Sequence, residues 1–286
     1  LVVLQRAGQA VLLGMDRSRP DAAVPVLFIA VYLGGNAALL WAGLLNLQNA
    51  LLLYAGAAGL AGLTAFVVLI GAGRFTLGDR GLLRRTLAVG WRGAVSVVLV
   101  LLLLRADVFL IEHFLGEASV GSYRVALNFA EMMQRVPDVA GAVLLAKVVR
   151  GEDDQLSLRV ARGILLFSLA AALVLLAAGR PLIGWLFPSY PEAFLPLAWM
   201  LPGLVFLGLG SVCNTKLAGQ GYPAITLWAA AVALVLNVGL GLWLIPAWGL
   251  PGAAWSKSIA CTVWALLVGG RYLRGEGMGW GAFLRR

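Results

Sequence analysis

The chain has 286 residues, of which 61% are hydrophobic and 12% charged, with a mean hydropathy of +0.92 and a net charge of +9. A soluble domain carries about a quarter charged residues, so a water-soluble globule is excluded, and long apolar runs in place of short alternating segments exclude a β-barrel. The basic residues lie between the apolar runs, where cytoplasmic loops collect them, so the charge does not point to nucleic acid.

The opening "LVVLQRAGQAVLLG" has neither an initiator Met nor a signal-peptide pattern. It reads as the tail of a span already in progress, and the natural start is expected upstream. Eight spans follow, near 22–45, 49–71, 86–114, 119–147, 160–179, 194–214, 223–245 and 252–272. Each has about 20 residues or more, enough to cross ~30 Å of hydrocarbon. The fold class is therefore an all-α polytopic membrane protein. The third and fourth spans run long, as in helices that tilt or project beyond the bilayer.

Charge sets the expected orientation. Arg17 and Arg19 lie in the first loop, and Arg74, Arg80, Arg84 and Arg85 in the loop at 72–85. Lys147, Arg150, Arg159 and Arg162 lie around 147–162, followed by Lys216 and then Arg271, Arg274, Arg285 and Arg286 in the tail. The alternate loops hold Arg180 alone. The rich side is expected to be cytoplasmic, and with it the C-terminus. The segment "RFTLGDRGLLRRTLAVGW" suits a short amphipathic helix on that surface and a boundary between two lobes. The longest opposite loop, "GRPLIGWLFPSYPEAF", is too short for a catalytic domain.

A loose parallel repeat supports the two lobes. "LLGMDRSRP", a span with Asn36 and "LLNLQNALLLYAGA" are echoed by "KLAGQGYP", a span with Asn237 and "GLPGAAWSKSIA". Cys213 and Cys261 lie in separate spans and read as buried inert thiols. One histidine, His113, and no Cys/His cluster give no metal-site spacing, and no cofactor is expected.

The polar residues concentrate in "LRADVFLIEHFLGEASVGSYRVALNFAEMMQRVPDVAG", residues 104–141. A charge at mid-bilayer costs about 2.5–3.5 kcal/mol on insertion scales, so such residues face protein or water. Arg124, Asn128, Glu131, Arg135 and Asp138 are spaced 4, 3, 4 and 3, one continuous helical stripe. Val125, Leu127, Phe129, Met132, Met133 and Val136 read as the other face. The stripe is expected to line an aqueous cavity. In the preceding span Arg105 and Glu112 share a face, whereas Asp107 lies about 200° around the helix from Arg105, so one of the two is expected to pair with a neighbouring helix. The structural alternative is that Glu131 and Arg135 neutralise each other as an i,i+4 pair and that Arg124 and Arg135 snorkel. Lys257 points either to the cavity or to the outer interface. Pro137 and Pro202 permit kinks.

The pattern Arg105-x-Asp107, Leu115-Gly116, Val120-Gly121-x-Tyr123 and a later proline resembles that of polysaccharide (O-antigen type) flippases. So does "KLAGQGYP" followed by Asn237, Ile245-Pro246 and "GLPGAAWSKSIA". These flippases belong to the multidrug/oligosaccharidyl-lipid/polysaccharide exporter superfamily. The resemblance implies two six-helix lobes. Residues 1–73 would be a remnant of the first lobe (the end of one span plus two spans) and 74–92 an amphipathic connection running into the next span. Residues 86–272 would be the second lobe and 273–286 a cytoplasmic tail. It also implies alternating-access export of an undecaprenyl-diphosphate-linked oligosaccharide for cell-surface polysaccharide, including lipopolysaccharide, across a bacterial inner membrane. Polysaccharide polymerase or ligase partners and membrane lipid go with that role. Arg105, Arg124, Asn128 and Arg135 would then bind substrate, the arginines offsetting the diphosphate's charge. Asp107, Glu112 and Glu131 would serve ion coupling or charge pairing. No catalytic residue is expected. The alternatives are a small-molecule or multidrug exporter, or a peptidoglycan-precursor flippase, of the same superfamily. A membrane glycosyltransferase or ligase would need an acidic metal site or a large external loop.

Overall fold

The computed structural model describes residues 18–71, 80–149, 154–221 and 223–285. The expected stub of an earlier span, residues 72–79 of the connection, and Arg17, Arg74, Arg150 and Arg286 of the basic loops lie outside them. The described residues form α1 (Ser18–Trp41), α2 (Leu47–Gly71), α3 (Arg80–Leu115), α4 (Glu117–Val149), α5 (Asp154–Leu186), α6 (Phe194–Gly219), α7 (Ala224–Trp248), α8 (Leu250–Gly275) and α9 (Trp280–Arg285). A 3-10 turn at Pro191–Ala193 leads into α6. Each of the eight expected spans corresponds to one of α1–α8, six of them lying wholly inside it; the first, 22–45, overruns α1 by four residues and the seventh, 223–245, begins one residue before α7. Four of these helices, and α6 together with its leading turn, contain stretches long and apolar enough to cross a membrane. In α1 the apolar stretch is the shorter Val26–Trp41. Polar residues used in the sites below dilute α4 and α8.

The chain divides into two compact units, Leu1–Arg80 and Gly81–Arg286. In the first, α1 and α2 form a hairpin. Asn46 caps α2, its Oδ1 accepting the Asn49 backbone N–H at 2.7 Å, which satisfies one of the orphan donors of a helix start. Phe28, Tyr32 and Tyr54 pack as an aromatic cluster, Tyr54 edge-on to both others at 5.4 and 5.6 Å.

The second unit contains α3–α9. The expected surface helix within 74–92 is, from Arg80 onward, the start of α3 itself, a single 36-residue helix about 54 Å long. No proline or glycine pair interrupts the stretch, so the helical hydrogen bonds continue into the span. Gly116, at φ +80°, is the sole residue between α3 and α4. Its N–H returns to the Glu112 carbonyl at 3.1 Å, a left-handed helix end that glycine adopts without a β-carbon clash. Gly249, also at positive φ (+64°), joins α7 to α8 with its N–H returned to the Ile245 carbonyl at 2.8 Å, and Pro251 in the first turn of α8 lacks an N–H that would have no helical acceptor there.

α6 is the central helix: 67% of its apolar stretch is buried, against 22% in α3 and α5. It packs along α8, α4 and α5. Apolar side chains gain nothing by leaving lipid, so close packing and interhelical hydrogen bonds must hold the bundle. Gly203 and Gly210, two turns apart on α6, supply the packing. A β-carbon at Gly203 would meet the Ser258 backbone, and one at Gly210 would lie 2.8 Å from the Ala265 β-carbon. Pro202 precedes this contact, and the Gly203 N–H donates to Ser258 Oγ at 2.8 Å. Pro137 of α4 is buried and approaches Gly208, where a β-carbon would lie 3.1 Å from its ring. Outward-facing side chains such as Phe109, Val235 and Trp243 are 67–72% exposed, a surface suited to lipid.

The tail is not a free extension. Phe283 of α9 is 2% exposed, with the Arg162 guanidinium 5.2 Å over its ring. Lys216 of α6 pairs with Glu276 at 3.2 Å. The tail's aromatic and acidic residues thus tie it to α5 and α6, contacts invisible to a composition reading.

Candidate functional site

α3 carries two polar side chains in opposite directions. Arg105 is exposed and Asp107 is 1% exposed, as a separation of about 200° requires. Between them α3 and α4 divide the polar residues into an exposed strip and a buried cluster.

On the exposed side, Arg105 reaches across to Glu131 of α4 at 2.9 Å, with side chains 44% and 41% exposed. Arg124, Asn128, Arg135 and Asp138 are exposed along the same helix. Val125, Leu127, Phe129 and Met133 are buried. Met132 and Val136, assigned by sequence to the apolar face, are 69% and 44% exposed, so the open face of α4 is turned toward them and the stripe forms one margin of it. That rotation brings Glu131 to α3. Among the described residues its ion pair is with Arg105, and Arg135 makes none. Glu112 is exposed two turns beyond Arg105, also without an ion pair among the described residues, and His113 is exposed beside Phe114. A half-exposed ion pair of this kind contributes at most about 1 kcal/mol. The strip, three arginines and an asparagine interleaved with Glu131 and Asp138, can present guanidinium donors to an anionic group.

The buried cluster joins four helices. Lys257 of α8, 4% exposed, donates to Asp107 Oδ2 and to the Leu104 carbonyl, both at 2.9 Å. The Tyr123 hydroxyl of α4 donates to the same Asp107 oxygen. Asn237 of α7 donates to the Leu103 carbonyl at 2.9 Å. The repeat partner Asn36 instead bonds the Tyr32 carbonyl of its own helix, so the two asparagines do different work. The Asp107 Oδ1 and Asn237 Oδ1 acceptors have no hydrogen-bond partner. Among the described residues α3 makes little close backbone packing with its neighbours, so these side-chain bonds, together with its buried Leu103 and Ile111, anchor it. Tyr123 and Lys257 were not among the sequence-derived site residues. The available signals were a lysine inside an apolar span and the tyrosine of the Val-Gly-x-Tyr pattern.

Cys213 and Cys261 are both buried and free, and among the described residues no group of histidine, cysteine and acidic side chains is placed to hold a metal.

No known family profile matches the chain, and no curated protein matches it in sequence. In three dimensions, the crystal structure of a MATE proline-to-alanine mutant matches 99% of this chain and 67% of its own, with a TM-score of 0.76 at 17% identity. This chain has a MATE-type fold. It spans about two thirds of that MATE protein. Within the MATE-type fold, the two polar groups lie in the second unit.

The exposed strip makes an accessibility prediction. In a background lacking Cys213 and Cys261, cysteines at Arg124, Asn128 and Arg135 should react rapidly with a small hydrophilic thiol reagent. Cysteines at Val125 and Met133 should not. Equal labelling at the two sets would contradict an open, one-sided strip.

Proposed function

We propose that this protein is a membrane transporter that flips an undecaprenyl-diphosphate-linked oligosaccharide by alternating access. It is not an enzyme, and it resides in a bacterial inner membrane with its C-terminus cytoplasmic. The observation that carries this reading is the exposed strip of Arg105, Arg124, Asn128 and Arg135, in which the ion pair found among the described residues is that of Arg105 with Glu131. Planar guanidinium groups match phosphate oxygens in pairs, and among the described residues Arg124 and Arg135 make no ion pair that would occupy their donors. Asn128 offers both donor and acceptor to sugar hydroxyls. The MATE-type fold supports transport in general, and supports a second reading, small-molecule export, because MATE proteins share the exporter superfamily with polysaccharide flippases.

The purified chain in proteoliposomes should move a fluorescent polyprenyl-diphosphate sugar from one leaflet to the other, and should not move the matching neutral polyprenol. Transport of small organic cations in place of the diphosphate lipid would favour the second reading, since guanidinium donors offer such cargo no acceptor.

A further inference from the structure

The tail does more than cover helix ends: with α8 it encloses a groove of about 320 Å³. That volume lies at the small end of ligand pockets, enough for a headgroup and the first carbons of a chain. Ile225 of α7, Leu266 of α8 and Met278 of the tail give it apolar walls. Arg271 and Arg274, one turn apart in the last turns of α8, stand at its rim. Both are exposed, and neither makes an ion pair among the described residues. Trp280 forms one side. Its indole lies flat on the Gly269–Gly270 step, where a β-carbon on Gly269 would fall 2.6 Å from the ring. Phe283, buried and edge-on at 6.2 Å, fixes the ring there. The wall is therefore part of the fold.

We propose that this groove binds an anionic glycerophospholipid. Its phosphate is held by Arg271 and Arg274, its first carbons lie against Leu266 and Ile225, and the Trp280 N–H faces the headgroup. The charge complementarity selects the occupant. Two unpaired guanidinium groups above an apolar floor match a phosphodiester attached to an alkyl chain. They do not match a zwitterionic headgroup, whose ammonium would meet the arginines, or an uncharged partner. Basic side chains at a membrane surface contribute about 1 kcal/mol each toward anionic lipid, and indole rings favour the headgroup level. The site is on a different part of the second unit from the strip on α3 and α4, and its occupancy does not depend on the cargo.

The test is binding of short-chain phosphatidylglycerol and phosphatidylcholine to the detergent-purified chain. Phosphatidylglycerol should bind more tightly. Arg271→Gln or Arg274→Gln should weaken it about fivefold, and the double change about thirtyfold. Lysine at both positions should retain most of the preference, and Arg180→Gln should leave it intact. Met278→Trp, which fills the groove without altering charge, should also lose binding, and it serves if the glutamine variants fail to fold. Equal binding of the two lipids, full binding by the double glutamine variant, or displacement by inorganic phosphate at millimolar concentration would each overturn the proposal.

Discussion

Asp107→Ala and Lys257→Ala each destabilise the second unit by about 3–5 kcal/mol, while replacing both together restores most of the loss. The expectation follows from burial. The two side chains are 1% and 4% exposed, and their 2.9 Å contact is the main compensation each charge has. Removing Asp107 strands an ammonium with only the Leu104 carbonyl. Removing Lys257 strands a carboxylate with only the Tyr123 hydroxyl. Removing both leaves no buried charge, and apolar replacements of similar size, Asp107→Leu with Lys257→Met, are expected near wild-type stability or above it. Tyr123→Phe removes a single charge-assisted bond and should cost less, about 1.5–3 kcal/mol. Unfolding of the purified protein in detergent, by denaturant or heat, measures all five variants. Single variants within about 1 kcal/mol of wild type, as for exposed ion pairs, would show that the cluster does not hold α3 in place. A stable double variant that no longer transports would assign the pair to movement between α3 and α8, not to folding.

Arg124→Ala and Arg135→Ala are expected to abolish export of the lipid-linked sugar with membrane abundance unchanged. Each removes charge-assisted hydrogen bonds worth about 1.5–3 kcal/mol, or about ten- to a hundredfold in affinity for a diphosphate. Both side chains are exposed, so folding should not suffer. The structural alternative read from the sequence has Arg135 neutralise Glu131, but the structure gives Glu131 to Arg105. The two possibilities now separate. Loss from Arg105→Ala, if it comes from the stranded carboxylate, should be repaired by adding Glu131→Ala. Loss from Arg135→Ala should not be. Arg135→Lys should recover only part of the activity, because a point charge lacks the paired donors of a guanidinium. Export measured for these variants in cells decides it, and full rescue of Arg135→Ala by Glu131→Ala would remove Arg135 from the proposed binding strip.

The sequence by itself determined the parts that depend on local order. Apolar runs of about 20 residues mark helices because the bilayer demands internally satisfied backbones, and each of the eight corresponds to one of α1–α8, with an end misplaced by up to four residues in two of them. Spacing of 4, 3, 4 and 3 placed Arg124 to Asp138 along one line of α4 because 3.6 residues complete a turn. The same periodicity required Arg105 and Asp107 to diverge. Which of them turned inward was beyond its reach. Asp107 is buried because Lys257, 150 residues away, and Tyr123 meet it there, and that meeting depends on how α3, α4 and α8 cross. Likewise the partner of Glu131, the outward turn of Met132 and Val136, and the docking of Trp280 on Gly269 follow from helix rotation and close approach. A helical repeat fixes angles around one axis. Only the packing of several axes decides which of those angles face one another.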